Sequence, residues 1–302
     1  MSAHYPRVRI ETEDGNIRAR EGLDLTFYMP PCHPESAEKV LSALDIYLRY
    51  VGVQALTHYA DMEGYWQDLG DSGWNLTRRE LLERVCTVVT LKELSRTGSR
   101  YFFHYDGRDA EFPIQWNQPD AMSQATFWLP SEYLEERGPG KVRELVIELA
   151  TMLPVRFGFC GLSFLGDIGM KRVDRQLQPH WKRHPGFDVP DSSGYSLDIG
   201  NRVTGPHWMN ILGQPVLGEL GGVSGLRERL KSPETTVQQL AGDKAVITLG
   251  PWPEAGDTER GELLPAYREL ARVLEPWLYQ SKRRIPHVSE EESRRWVRRF
   301  LD

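Results

Sequence analysis

Cysteine is scarce in this chain. Only three occur in 302 residues, Cys32, Cys86 and Cys160, far apart and never in a C-x-x-C pair. An odd, scattered set argues against a disulfide scaffold and against a structural zinc site, so a reducing, cytoplasmic setting is expected. Long apolar runs are missing too. The longest stretch without a charge, Val203 to Gly218, holds Thr204, Pro206, His207, Asn210, Gln214 and Pro215, and hydrocarbon would reject it. Met1 to Gly15 carries Arg7, Arg9, Glu11, Glu13 and Asp14 with no apolar stretch, so no secretory signal is expected there. Basic charge is the minority sign: 37 Lys+Arg stand against 43 Asp+Glu, a net charge of −6. A nucleic-acid binder needs a basic surface to displace counterions, so this balance argues against direct nucleic-acid binding. It leaves room for a partner that is itself basic.

The spacings that carry catalysis are also absent. His180 and His184 stand four apart, but the glutamate of H-E-x-x-H is lacking and Pro185-Gly186 breaks any helix there. No G-x-S-x-G occurs, and Gly70-Asp71-Ser72-Gly73 lacks the spacing of a nucleophile elbow. Gly138-Pro139-Gly140-Lys141 has a lysine but neither the glycine spacing nor the hydroxyl of a phosphate loop, and Gly158, Gly161 and Gly166 miss the dinucleotide pattern. No Asp or Glu is followed two places later by Lys, as a divalent-cation nuclease of the restriction type requires. The expectation is a protein that is not an enzyme and needs no metal and no cofactor. The alternative is an enzyme or small-ligand-binding protein whose site is assembled from distant residues, such as His104, His180, His184 and His207 with nearby acids.

What the chain does have is core. It carries 9 Trp, 12 Tyr and 10 Phe, and 40% of its residues are hydrophobic, enough to offset the entropy of ordering a globular fold. Strand alternation runs over Arg7–Glu11, Leu23–Met29, Arg100–Tyr105 and Ala125–Leu129, with an apolar strand over Phe157–Leu165 and a strand-like Trp208–Leu212. Val237–Leu240 and Lys244–Leu249 flank Gly242-Asp243 as a hairpin. Helical spacing covers 36–51, 141–153 and 265–275, and Thr77 is placed to cap another helix through about Cys86. Strands cluster in hairpins rather than alternating strictly with helices, which predicts an α+β fold with an antiparallel sheet and helices packed against it. Thr26-Phe27-Tyr28-Met29-Pro30 echoes Thr126-Phe127-Trp128-Leu129-Pro130, each followed by an amphipathic helix, which allows for two related strand-helix units. The organisation expected is one domain over 1–280 and a basic helical tail over 281–302, with Trp296, Val297, Phe300 and Leu301 as its apolar stripe.

The segment from His58 to Trp74 reads as a long surface connection in which acids lie beside aromatics and no Lys or Arg intervenes. Tyr59, Asp61, Glu63, Tyr65, Trp66, Asp68, Asp71 and Trp74 are its candidate partner-binding residues, because Tyr and Trp anchor interfaces and acids steer a basic partner.

The second half carries an ordered set of motifs: His184-Pro185-Gly186-Phe187-Asp188, Gly205-Pro206-His207-Trp208-Met209-Asn210-Ile211-Leu212, Leu217-Gly218-Glu219-Leu220-Gly221-Gly222, Gly250-Pro251-Trp252-Pro253-Glu254-Ala255-Gly256-Asp257 and Pro265-Ala266-Tyr267-Arg268-Glu269-Leu270-Ala271. Together they resemble the type VI secretion immunity family that neutralises VRR-type nuclease toxins, over roughly residues 20–280. The resemblance implies a small, non-enzymatic, cytosolic antitoxin that binds its cognate toxin, a nuclease with a basic groove, and plugs the toxin's active site. The motif residues themselves read as fold determinants: Gly186 and Gly256 at tight turns, Gly221-Gly222 at a helix end, Trp208 in the core.

Overall fold

In the strand Ile17–Met29, Leu23, Leu25, Phe27 and Met29 point to one side and Asp24, Thr26 and Tyr28 to the other. That division organises the whole molecule. The computed structural model describes residues 4–95, 98–111, 118–189, 194–280 and 285–302. In chain order its elements are β1 (Arg9–Glu11), β2 (Ile17–Met29), α1 (His33–Val51), β3 (His58–Ala60), β4 (Trp66–Asp68), α2 (Asp71–Glu83), β5 (Thr87–Lys92), β6 (Phe102–Gly107), β7 (Ser123–Pro130), α3 (Ser131–Met152), β8 (Phe157–Gly166), α4 (Lys171–Arg183), β9 (Met209–Leu212), α5 (Val216–Glu219), α6 (Gly222–Arg229), β10 (Thr235–Leu240), β11 (Lys244–Leu249), α7 (Pro265–Leu274) and α8 (Glu290–Val297). Among the described residues the strands form one antiparallel sheet in the order β10-β11-β9-β8-β2-β7-β6-β5-β3-β4, with β1 added beside β2. The α+β expectation holds.

The two echoing segments meet at the centre. β2 and β7 pair so that Thr26 lies opposite Thr126, and their hydroxyls hydrogen-bond at 2.8 Å. Each strand leads into a helix, α1 or α3, and the chain then returns on the far side of the other strand: β6 beside β7, β8 beside β2. The two strand-helix units are thus interlocked around one point in the sheet.

Two cores result. On one face Leu25, Phe27, Phe103, Phe127, Leu162 and Met209 pack under Val40, Leu44 and Tyr47 of α1 and Val142, Leu145 and Leu149 of α3. On the other, Phe157, Leu212 and Ile247 meet Leu217, Leu226, Tyr267 and Leu270 from α5, α6 and α7. The tail contributes to both: Trp296 joins the first core and Phe300 the second.

Several boundaries differ from the pattern reading. α1 opens at His33 because Pro34 suits a first turn. α2 opens at Asp71, with Gly70 before it, so Thr77 is a buried mid-helix residue and not a cap. β5 and α4 have no counterpart in the pattern reading. α3 begins at Ser131 and breaks at Gly138 (φ 77°) and Pro139, which isolates the predicted segment from 141 onward. The expected tail helix over 282–301 shortens to α8, which starts from a capping box between Ser289 and Glu292; residues 282–284 lie outside the described set.

At one end of the sheet Arg9 and the buried Arg20 both hydrogen-bond Glu132 in the first turn of α3. Burial alone would raise this carboxyl, but its backbone hydrogen bond and the Arg20 and Arg9 charges outweigh it and hold it at about 2, below the ordinary 4.5. A depressed carboxyl stabilises the fold above its unfolded pKa and loses that contribution as pH falls through the folded value. The stability difference between the parent and Glu132→Gln is therefore expected to be full at pH 6 and to shrink between pH 4.5 and 2. Urea titrations across that window check it; a difference independent of pH would refute the assignment.

Candidate functional site: an uncovered face of the sheet

Helices cover the second face only over its β8–β10 half. That face is exposed at its β5 end, where Val88 is 66% exposed, and closes inward, where Thr26, Tyr28 and Trp128 are each 2% exposed. Register aligns the outward residues in rows. Asp68, His58, Lys92, Phe102, Trp128, Asp24 and Gly161 form the first; Thr90, His104, Thr126, Thr26 and Phe159 form the second. The polar members are tied together. Thr26 Oγ1 donates to Asp24 Oδ1 at 2.7 Å, Gln124 Nε2 donates to Thr126 Oγ1 at 3.0 Å, and His104 Nδ1 lies 2.9 Å from Thr90 Oγ1. Burial lowers the pKa of His104, which favours its neutral form.

A wall rises along β8. Asp188 accepts from His207 Nε2 at 2.8 Å and faces Arg299 Nη2 at 3.4 Å. Burial would raise the Asp188 carboxyl; the Arg299 charge and then the His207 hydrogen bond outweigh it and hold it low. His207 stacks on Phe159, ring centroids 3.8 Å apart, above Gly161, where a Cβ would come within 3.3 Å of the imidazole. Floor and wall enclose a cavity of about 320 Å³ lined by Asp24, Thr26, Thr126, His104, Asp188 and Tyr195 among others. Phe102 and Leu165 also border a second, wider hollow of about 860 Å³ that runs outward to Trp66 and Lys92.

The segment expected to be a long connection is instead the β3–β4 hairpin, at the outer edge of the sheet, followed by the start of α2. Asp61 folds its turn: Oδ1 accepts from the backbone of Glu63 and Tyr65, and Oδ2 from Gln67 Nε2, which first among these holds the carboxyl below its usual range. Tyr59 and Trp74 pack against the main core. Glu63, Tyr65 (69% exposed) and Asp68 point to solvent, and Asp71 sits in the exposed first turn of α2. Trp66 is half-buried on the open side with Lys92 Nζ 3.7 Å above its ring. Of the eight candidates, Asp68 thus joins the first row, Trp66 stands beside it on the same side of β4, and Glu63 and Tyr65 lie in the hairpin turn.

The four histidines do not converge. His184 Nδ1 bonds Gly256 O at 2.6 Å, His180 lies within α4, His207 is buried on Asp188, and His104 belongs to the floor. Among the described residues no three His, Cys, Asp or Glu side chains could hold a metal ion, and no helix is long and apolar enough to cross a membrane. The sequence motifs converge on one another instead. Gly186 N donates to Ala255 O, Trp208 Nε1 to Gly250 O, and Asp188 holds His207. Gly256 and Gly221 take positive φ, as turn and helix-end glycines do. Trp208 is fully buried.

The sheet floor itself was missed by sequence reading. Its signal was present in the polar alternation of Asp24 with Thr26 and Gln124 with Thr126, which marks a strand face that meets water.

The chain belongs to the TsiV family, described as type VI immunity for VRR-NUC, whose model matches residues 39–300. A solved structure of the Pseudomonas aeruginosa T6SS protein PA0821 shares the fold, with a TM-score of 0.80 and 20% identity over 97% of this chain and 87% of that one. The comparison with curated proteins gave no match.

Proposed function

We propose that this immunity protein neutralises a VRR-NUC nuclease toxin by binding it in the cytoplasm, without chemistry of its own, and covering the toxin's nucleic-acid groove. The observation that carries this reading is the continuity of the polar and aromatic sheet face with the acidic edge hairpin. A nuclease binds phosphates with Arg and Lys, and a surface bearing Asp24, Asp68, Glu63 and Asp188 beside aromatic rings complements such a groove. For the enzymatic alternative, His207 is poorly placed: its side chain is 3% exposed and stacked on Phe159.

Tyr65 and Trp66 are assigned as edge anchors, Glu63 and Asp68 as steering charges. Trp66→Ala should weaken toxin binding by about 2 kcal/mol, mainly through faster dissociation. Glu63→Lys with Asp68→Lys should slow association at low salt and have less effect at high salt. Asp61 is left unaltered because it builds the turn. The check is surface-immobilised binding kinetics with the VRR-NUC product of the neighbouring reading frame, alongside a growth-protection assay. Both variants binding and protecting like the parent would place the interface elsewhere; no binding by the parent would remove the antitoxin reading.

A further inference from the structure

Two of the described lysines are withdrawn from solvent, and the fold treats them differently. Lys244 is buried, and its Nζ donates to the carbonyl oxygens of Ala150 and Leu153 at the end of α3. Lys92, half-buried on β5, has no such acceptors. Among the described residues its Nζ forms no hydrogen bond and has no carboxylate within ion-pair distance; it stands 3.7 Å over the Trp66 ring. Burial lowers the pKa of this ammonium, and Asp167 opposes that only from beyond ion-pair distance, while itself paired with Arg18 at 3.2 Å. Withdrawing a charge from water costs free energy unless a counter-charge or acceptor replaces the solvent, and a ring face replaces only part of it.

The missing partner has a way in. Lys92 Nζ keeps accessible surface, as the unpartnered indole nitrogens of Trp128 and Trp296 do not. It lines the wider hollow of about 860 Å³, to which Ile17, Phe102 and Leu165 give apolar walls and Arg18 and Asp167 an already closed pair. That volume holds several residues of a partner segment. An ammonium on a ring, bordered by apolar walls, suits an anion carried on an aliphatic stem. Asp167 in the hollow, and Asp68 two strands away in the same row, repel a polyanion such as a phosphodiester chain, so the fitting guest carries a single charge.

We propose that this hollow seats an aspartate or glutamate side chain of the bound toxin, its carboxylate accepting from Lys92 Nζ above the Trp66 ring. The inference rests on the antitoxin reading above and names an acid that the partner must present. The face is then not uniformly acidic: Glu63 and Asp68 at the edge meet basic groups of the toxin, and Lys92 beside them meets one acid.

The test has two arms. In the first, toxin affinity and melting temperature are measured for the parent, Lys92→Met, Lys92→Arg and Lys39→Met, the last an exposed lysine of α1 on the opposite face of the sheet. Lys92→Met should bind about tenfold more weakly with a melting temperature unchanged or raised, because it gives up no directed bond and removes a half-buried charge. Lys92→Arg should stay within about threefold of the parent, and Lys39→Met should match it. Parent-like affinity in Lys92→Met would overturn the site, and a lowered melting temperature with that affinity would assign Lys92 to packing. In the second arm, the α-amide of Nα-acetyl-L-glutamate is titrated into nitrogen-15-labelled protein, and the indole N–H resonance of Trp66, assigned by its loss in Trp66→Phe, is followed. Nα-acetyl-L-glutamine amide and inorganic phosphate are the controls. A saturable shift with the glutamate compound, about tenfold weaker with either control and abolished in Lys92→Met, is expected. Equal shifts with glutamate and glutamine, no shift, or a stronger response to phosphate would overturn the carboxylate site. If the parent binds no toxin, the antitoxin reading and the named guest both fall, while the glutamate titration still decides whether the hollow takes a carboxylate.

Discussion

Replacing Arg299 by alanine should lower the unfolding free energy by about 3 to 5 kcal/mol, the range for breaking a buried ion pair from one side. The guanidinium is 10% exposed at its side chain and is used on every edge. Nε donates to Pro185 O at 2.8 Å, Nη1 to Trp296 O at 3.1 Å, and Nη2 faces Asp188. Its plane lies 4.1 Å from the Trp296 ring centre and 4.8 Å from that of Phe300. Deleting it leaves the Asp188 carboxylate with His207 and the Val189 N–H but no full cationic partner, removes the side-chain donor to the Pro185 carbonyl and opens a gap between two aromatic rings. Lysine should restore little, because a point charge cannot form three directed bonds and stack at once. Arg295, 73% exposed and paired with Glu291, is the matched control, and its alanine variant should change stability by less than about 0.5 kcal/mol. Urea unfolding of the three variants checks the ranking. If Arg299→Ala matches Arg295→Ala, the tail does not clasp the wall of the site.

That clasp shows what sequence reading could and could not see. The apolar stripe of Trp296 and Phe300 was legible from helical spacing, and it proved to be core. Nothing in the basic tail's sequence tells the exposed Arg294 and Arg295 from the enclosed Arg299, because a guanidinium in a protein interior has no distinguishing mark in the sequence. The same limit applies to the site. Periodicity found β2, β6, β7 and β8 of its floor but not β3, β4 or β5, and it found both echoing segments. Their side-by-side placement is a long-range pairing, fixed by the packing of α1 against α3 on the other face, and no local pattern encodes it. The 58–74 segment shows the converse. Composition picked out acids and aromatics correctly, but three-residue strands are too short to show a period, so Asp61 as a turn former and Tyr59 and Trp74 as core residues could not be told from interface candidates.

Gly186→Ala is the other substitution with a large expected cost, about 3 kcal/mol or more. The motif reading placed this glycine in a turn, and it does lie in one, but a stricter constraint comes from its neighbour strand. A methyl built on Gly186 would sit 2.0 Å from Glu254 O and 2.9 Å from the Ala255 Cα, both backbone atoms that no rotamer change can move aside. The Gly186 N–H donates to Ala255 O at 2.8 Å, so the two segments must separate for the methyl to enter, and that hydrogen bond is lost with them. Overpacking of this kind costs about 1 to 3 kcal/mol where side chains can yield and more where they cannot, and the broken hydrogen bond adds about 1. The damage would also reach the cavity wall, because Phe187 and Asp188 follow directly and Asp188 holds His207 over Phe159. Loss of stability should therefore be accompanied by changed backbone resonances at Asp188 and Phe159 on that wall. Gly140 supplies the contrast: it lies in α3 with nothing within 4 Å of a built Cβ, so Gly140→Ala should stabilise by up to about 1 kcal/mol. Thermal melts of the two variants separate a glycine required by backbone contact from one that is merely permitted, and equal melting temperatures would show that the 186–255 contact yields more readily than its geometry implies.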